Sequence, residues 1–151
     1  KGYKVFGVIE YCTGRFWYQG QEGRLNSEAY SAFLTRVLAQ VTQPIILIHD
    51  GARYHTSVAM QRFLAVHSER LMVFQLPSYS PDYNPIEKLW KKVKKEGTHL
   101  QYFPTFQALT DTVEHALLKF ANTPKEILSL CSLPTELTQA AYVRLARKSF
   151  S

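Results

Sequence analysis

Residues 44–49 read PIILIH, and the chain continues with Asp50 and Gly51. This short apolar run is too brief for a helix of its own and predicts a central strand, buried on both faces, that ends at the Asp-Gly pair. Apolar spacing over residues 58–66 predicts a helix, and residues 71–76 (LMVFQL) predict a further buried strand. Because strand, helix and strand in succession form a parallel pair, this stretch predicts an α/β sheet.

The residues before this stretch predict a hairpin and a helix. Residues 3–10 (YKVFGVIE) and 15–19 (RFWYQ) are rich in β-forming residues, and the four residues between them (YCTG) favour a turn. From Asn26, a good helix N-cap, apolar residues recur at spacings of three and four as far as Val41. We therefore expect a mixed sheet with an N-terminal hairpin, flanked by helices.

The remaining chain predicts a loop followed by helices. Residues 77–84 (PSYSPDYN) combine Ser, Asp, Asn and Pro, so they predict a loop that enters a helix at Pro85. Apolar spacing predicts another helix from Phe106 to Phe120, and Pro124 and Pro134 are expected to begin two more. No repeat or linker divides the chain, and we expect residues 1–151 to form a single domain.

Composition excludes several classes of protein. A chain of 151 residues with 46% hydrophobic and 20% charged residues is typical of a globular domain and not of a disordered one. Cys12 and Cys131 are isolated, so they predict neither a zinc site nor a redox pair and favour a reducing compartment. No apolar run approaches the roughly 18 residues of a membrane span. The net charge of +6 is compatible with a polyanionic partner such as nucleic acid, and ordinary solubility charge explains it equally well.

Two carboxylates lie where chemistry could use them. Asp50 follows the central strand, at the end of the sheet where open α/β folds bind ligands, although an Asp-Gly turn explains it equally well. Glu87 falls in the first turn of the helix entered through Asn84 and Pro85, where a capping box with Asn84 is the plainer interpretation. In the functional interpretation, Glu87 faces the strand end that carries Asp50. Spacing alone leaves both interpretations open.

The helix that carries Glu87 has a basic surface. Its apolar stripe leaves five lysines on the remaining surface, and such a face is usually only solvated. Beside carboxylates that bind a divalent ion, however, lysines would hold a phosphodiester strand. Arg53 could contact phosphate, and His55 could orient Asp50, contact phosphate or ligate a metal. The five lysines are Lys88, Lys91, Lys92, Lys94 and Lys95.

Taken together, IILIHDGARYH (residues 45–55) and LPSYSPDYNPIEKLWKKVKK (residues 76–95) resemble the catalytic domain of mariner-like insertion-sequence transposases. These proteins form part of the DDE superfamily and have an RNase H-like fold. The resemblance covers most of residues 3–100, including the hairpin and first helix. It departs from the family pattern at Gly51, where many relatives have Asn.

The resemblance implies metal-dependent DNA strand cleavage and strand transfer. By position, Asp50 matches the second catalytic aspartate and Glu87 the third acid, with 36 residues between them. Both are expected to bind Mg²⁺ or Mn²⁺ in a two-ion site, with His55 and Asn84 in supporting roles. The implied partners are transposon-end and target DNA and a second copy of the protein, in the cytoplasm and associated with the nucleoid.

The resemblance also implies that parts of the intact protein are absent. The first aspartate of the family belongs on a strand before residues 3–10, and we expect this chain to lack that strand and an N-terminal DNA-binding region. Glu10 ends a hairpin strand and is not assigned to the triad. The intact parent is expected to be active and this segment alone largely inert. Two alternatives stay open: a non-catalytic DNA-binding or assembly domain and, ranked last, a phosphohydrolase of small phosphates.

Overall fold

The computed structural model describes residues 2–49, 57–76, 84–131 and 142–150, with the backbone alone for residues 142–149. Strands and helices alternate over much of the chain, and a π-helical turn at Lys94–Thr98 directly continues the helix that ends at Val93. In chain order they are β1 (Tyr3–Glu10), β2 (Phe16–Glu22), α1 (Ser27–Gln40), β3 (Ile45–His49), α2 (Val58–Val66), β4 (Leu71–Gln75), α3 (Ile86–Val93), α4 (Phe106–Ala121), α5 (Pro124–Cys131) and β5 (Tyr142–Phe150).

The five strands form one sheet in the order β2-β1-β5-β3-β4. β1 runs antiparallel to β2 and to β5, whereas β3 runs parallel to β4 and to β5. The predicted hairpin, central parallel pair and flanking helices are therefore confirmed, as is the mixed α/β fold class. β5 is the strand that joins the hairpin to the parallel pair.

The C-terminal strand differs from the sequence prediction. The helix expected from Pro134 falls partly on residues 132–141, which lie outside the described residues, and residues 142–150 form β5 and not a helix. Helical spacing was a poor guide here because β5 is stabilised by pairing with β1 and β3, which are distant in sequence. Within the described residues, β5 lies between β1 and β3.

Local sequence explains how α1 begins. The Asn26 side chain accepts a hydrogen bond from the Ala29 backbone N–H at 2.8 Å, which satisfies one of the free amides of the first helical turn. The buried residues of α1 then recur at helical spacing and cover one side of the sheet. They are Tyr30, Phe33, Leu34, Val37 and Leu38.

The sheet separates two hydrophobic cores. Because side chains alternate along β1, Val5 and Ile9 pack with α3, α4 and α5, whereas Phe6 and Val8 pack with α1 and α2. Trp90 of α3 is completely buried in the first core. The second core continues beneath β3 and β4 through Leu47 and Leu71. Among the described helices, none is long and apolar enough to cross a membrane.

β4 is less buried than its sequence predicted. It lies at the edge of the sheet, and on one face Met72 and Phe74 keep 57% and 53% of their surface exposed. Ile46 and Ile48, their partners in register on β3, are only partly buried. The prediction that β3 and β4 are buried on both faces was thus wrong. On the face that carries α3, α4 and α5, these helices pack on the half of the sheet that contains β1 and β2.

Candidate active site

A buried polar contact joins α1 to the C-terminal end of β3. His49, the last residue of β3, is 4% exposed, and its Nδ1 lies 3.2 Å from the hydroxyl of the fully buried Tyr30. The His49 carbonyl accepts a hydrogen bond from the Leu76 backbone N–H at 2.8 Å, just beyond β4. These contacts fix the point at which the chain leaves the sheet toward Asp50. Asp50, Arg53 and His55 themselves lie outside the described residues.

The start of α3 differs in detail from the predicted capping box. Pro85, and not Asn84, occupies the N-cap position, and no side chain caps the helix there. The Glu87 backbone N–H donates to the Asn84 carbonyl at 3.0 Å. This main-chain turn satisfies one amide of the first helical turn, which is the role expected of a side-chain cap. Asn84 is 4% exposed, and its Oδ1 makes no hydrogen bond in the described structure. The Asn84 side chain is buried and is not used as the N-cap.

A close contact relates α3 to the end of β3. A Cβ atom at Gly7 would lie 2.7 Å from Trp90 Cζ2, so the indole packs directly on the β1 backbone. Gly7 pairs with Ala146 of β5, and the preceding residue of β5 pairs with His49. Trp90 therefore lies at the height of the sheet where β3 ends. Glu87 precedes Trp90 by three residues, a rise of about 4.5 Å, so it lies within one helical turn of that height.

The five predicted lysines lie outside the apolar stripe of α3, as expected. Ile86, Leu89, Trp90 and Val93 are fully buried, and their strong segregation leaves the cations on the other faces. Lys88, Lys91 and Lys95 are exposed, whereas Lys92 and Lys94 are partly buried. Glu87 and Lys91 are neighbours on the helix surface because they are four residues apart.

The chemistry of the donors near α3 suits a hard divalent cation only in part. Within the described residues, no three His, Cys, Asp or Glu side chains come together as a metal site. The carboxylate of Glu87 and the buried amide oxygen of Asn84 are oxygen donors, which Mg²⁺ and Mn²⁺ prefer. These two oxygen donors therefore fit such an ion in kind.

Two further polar residues have roles that the sequence did not specify. The sequence assigned no role to His49, although its position at the end of an apolar strand was the signal for a buried partner. Glu10 is 6% exposed and forms an ion pair with Arg15 at 3.0 Å across the hairpin turn.

Solved structures with a similar fold include nucleic-acid-processing enzymes. The catalytic domain of the Mos1 mariner transposase matches with a TM-score of 0.52 at 15% identity, over 81% of this chain and 80% of that chain. The same domain with raltegravir and Mn matches with a TM-score of 0.51 at 17% identity, over 78% and 70%. At these identities the likeness shows the fold alone, which is RNase H-like, as the sequence predicted.

The intasome of simian T-cell lymphotropic virus, solved with the PP2A regulatory subunit B56 gamma, matches with a TM-score of 0.54 at 15% identity. The match covers 74% of this chain but only 41% of the intasome chain. No curated protein matches the sequence. Residues 1–110, by contrast, match the family described as DDE superfamily endonucleases, which confirms the resemblance. The chain belongs to the DDE endonuclease superfamily.

Proposed function

We propose that this chain is the catalytic core of a transposase and that Asp50 and Glu87 bind Mg²⁺ or Mn²⁺ during DNA strand cleavage and strand transfer. The observation that carries the proposal is the Gly7–Trp90 contact. It holds the first turn of α3, with Glu87, near the height at which β3 ends and the chain continues to Asp50. Carboxylates from a helix and a strand end can then act on one phosphodiester.

In this proposal each described residue has a separate task. Glu87 is a metal ligand, and Asn84 supports it through the backbone turn between the Asn84 carbonyl and the Glu87 N–H. His49 and Tyr30 position the strand end from which Asp50 follows. Arg53 and His55 would contact the scissile phosphate or orient Asp50. A bound Mg²⁺ or Mn²⁺ pair would supply charge neutralisation and acidify the attacking hydroxyl or water.

The lysines of α3 would hold the DNA backbone. Lys88 and Lys91 are exposed on the same short helix as Glu87, and Lys95 is exposed on the π-helical turn that continues it, so phosphates contacted by them would pass close to the carboxylate. Each lysine that neutralises a phosphate releases condensed counterions and makes binding dependent on salt. The partners proposed are transposon-end and target DNA, with a second copy of the protein bound to the same DNA in the cytoplasm.

The metal site can be tested on this chain without an activity assay. Mn²⁺ broadens the NMR signals of nearby nuclei, so titration should broaden the amides around Glu87 and the residues that follow His49. Glu87→Gln should abolish that broadening at the start of α3. Glu96→Gln is the matched control, because Glu96 lies on the same helical segment but pairs with Lys119 at 3.1 Å. Equal broadening in the Glu87→Gln variant would contradict the assignment of Glu87 as a ligand.

Cleavage itself is tested in the intact parent protein on DNA that carries the element ends. Asp50→Ala and Glu87→Ala should each abolish strand cleavage, while circular dichroism shows an unchanged fold. Cleavage that survives in both variants would overturn the catalytic proposal. Salt-dependent DNA binding with no metal requirement, lost when Lys91, Lys92 and Lys95 are neutralised, would instead support a non-catalytic DNA-binding domain.

A further inference from the structure

The two edge strands of the sheet differ in how well they are protected from pairing with another chain. At the β2 edge, the Tyr18 carbonyl accepts a hydrogen bond from the Arg36 side chain of α1, and the strand ends at the charged Glu22. β4, at the opposite edge, reads LMVFQ and contains no charged residue or proline. Soluble proteins usually protect edge strands with such residues, because the unpaired main-chain groups of an edge accept a strand from another molecule. The β4 edge lacks this protection.

The hydrogen bonds between β3 and β4 show which main-chain groups of β4 face outward. At one end of the pair the Ile45 N–H donates to the Arg70 carbonyl at 2.7 Å, and at the other end the Leu76 N–H donates to the His49 carbonyl at 2.8 Å. Residues in a strand turn their N–H and C=O groups alternately to one neighbour and then to the other. The even-numbered residues of β4 therefore face β3, and the odd-numbered residues face away from the sheet.

The outward groups of β4 match those of a second copy of β4. Within the described residues, the N–H and C=O groups of Val73 have no hydrogen-bond partner, whereas the Leu71 N–H donates to the His67 carbonyl at 2.8 Å. In an antiparallel pair centred on Val73, the two Val73 residues would exchange both of their hydrogen bonds. The Gln75 N–H of each copy would then donate to the partner's Leu71 carbonyl.

The same register brings the exposed side chains of β4 together. Met72 and Phe74 share one face of the strand and keep 57% and 53% of their surface exposed. With Val73 on the two-fold axis, Met72 of each copy lies opposite the partner's Phe74, at the non-hydrogen-bonded positions where side chains approach most closely. A thioether beside an aromatic ring is a favourable contact. The contact forms on both sides of the axis, so this surface is complementary to itself.

Charge favours a second copy over nucleic acid at this edge. β4 contains no Lys or Arg, so a phosphate backbone would find no counter-charge on it. The adjacent cation, Arg70, donates to the Leu38 and Val41 carbonyls at the end of α1. Two chains with a net charge of +6 repel each other in general, whereas two β4 edges meet without an opposing pair of like charges.

The geometry points to β4 as the interface of a symmetric homodimer, in which two sheets join edge to edge, antiparallel, about Val73. The homodimer forms without DNA or metal, so it goes beyond the proposed function and does not depend on it. A strand pair of this length is smaller than a standard interface of about 800 Å² per partner. The association is therefore weak, with an expected dissociation constant of about 100 µM.

Sedimentation equilibrium tests the association on the whole chain, without DNA or metal. Between about 10 µM and about 1 mM the protein should pass from mostly monomer to mostly dimer. A chain that stays monomeric at about 1 mM would overturn the proposal. Growth beyond a dimer would also overturn it, because edge pairing about a two-fold axis closes after two copies.

Amide hydrogen exchange tests whether β4 is the surface involved. Over the same concentration range, the Val73 and Gln75 amides should exchange about fourfold more slowly, because dimerisation occupies their outward N–H groups. The Met72 and Phe74 amides face β3 in monomer and dimer alike and should change little. A dimer in which the Val73 amide is not slowed would contradict the assignment of β4.

Two charged double variants test the register. Met72→Lys with Phe74→Lys places like charges opposite each other across the axis and should weaken dimerisation by about tenfold or more. Met72→Lys with Phe74→Glu places opposite charges there instead, so this variant should dimerise about tenfold more tightly than the double-lysine variant. Equal association of the two variants would overturn the register centred on Val73.

A matched control separates the position of these charges from their number. Leu100→Lys with Leu118→Lys also adds two cations in place of exposed apolar side chains, which are 92% and 51% exposed and lie outside β4. The dissociation constant should stay within about twofold of that of the parent chain. A loss equal to that of the double-lysine variant of β4 would show that net charge is responsible and would contradict the proposal. None of these measurements uses metal, so their outcome is independent of the Mn²⁺ titration at Glu87.

Discussion

The helices on the two faces of the sheet pack against it differently, and the difference concerns the site. On one face, α1 meets β1 and β3 through large side chains, with the Phe6 and Phe33 rings stacked at 5.8 Å. On the other face, α3 meets β1 through Trp90 on the bare backbone of Gly7. Side chains on the α1 face can adjust to a change in volume, whereas the α3 face has no side chain at Gly7 that could move. The carboxylate predicted to act lies on this less tolerant face.

The largest effect is expected from Gly7→Ala. The new Cβ would collide with the Trp90 ring, which is completely buried and cannot move aside without disturbing Phe16 and Phe150. Overpacking of this kind should lower the free energy of unfolding by about 3 kcal/mol, measured by denaturant titration. Gly23→Ala is the control, because Gly23 has a φ of 93° but no atom within 4 Å of its added Cβ. It should cost about 1 kcal/mol through backbone strain alone. Equal costs at both glycines would show that the close approach of Trp90 is unimportant.

On the opposite face, Tyr30→Phe should have an intermediate effect. The change removes the hydroxyl that lies 3.2 Å from His49 Nδ1 and leaves that buried nitrogen without this partner. The expected loss is about 1 to 2 kcal/mol of unfolding free energy, together with slower strand cleavage in the intact parent. Tyr102→Phe, at a residue 88% exposed, should change neither quantity. Unchanged cleavage in a folded Tyr30→Phe protein would show that the Tyr30–His49 contact is not needed for catalysis.

A smaller effect on unfolding free energy, visible only at alkaline pH, is expected from Tyr3→Phe on the α3 face of the sheet. Its hydroxyl donates to Glu114 Oε1 of α4, and burial together with this carboxylate raises the pKa of Tyr3. Burial and Glu114 also raise the pKa of Tyr18. Because an unfolded tyrosine ionises near pH 10, unfolding free energy should be level from about pH 7 to 9 and fall above pH 10. The fall should be shallower in Tyr3→Phe than in the parent chain. An identical fall in both would show that Tyr3 does not contribute.

The smallest effect on stability is expected at the surface of α3. Lys91→Ala with Lys95→Ala changes exposed side chains and should alter unfolding free energy by no more than about 0.5 kcal/mol. DNA affinity should nevertheless fall. In a plot of the logarithm of the binding constant against the logarithm of salt concentration, the magnitude of the slope should decrease by about two. Lys125→Ala, an exposed lysine of α5, serves as the comparison. Equal losses of affinity in the two proteins would contradict a specific DNA-binding role for α3.

Elements whose signals are local could be predicted from sequence. The hairpin, α1 with its Asn26 cap, α2, α4 and α5 all follow from turn chemistry, capping and apolar spacing. The exposed lysines of α3 follow in the same way, because four buried apolar residues define the opposite face of the helix. The prediction was wrong where partners distant in sequence decide the outcome, as for β5 and for the exposed face of β4.

The features of the candidate site likewise differ in whether the sequence could predict them. Its residue types and their spacing, with Asp50 after an apolar strand and Glu87 in a first helical turn, were readable from the chain, and their role as site residues stays a prediction. The buried pair of Tyr30 and His49 was not, because hydrogen bonding between α1 and β3 depends on how the helix docks. Asn84 was read as a helix cap, whereas the fold buries its side chain without using it as one.

The sequence by itself determined the kinds of elements from β1 to α5, the amphipathic faces of the helices and the carboxylates offered to the site. Only the tertiary structure decided which strand lies between β1 and β3, and that α3 rests on the backbone at Gly7. The physical reason is that helix periodicity and capping act over three or four residues. Strand order and close packing instead depend on contacts between segments far apart in the chain, such as β1 with β5.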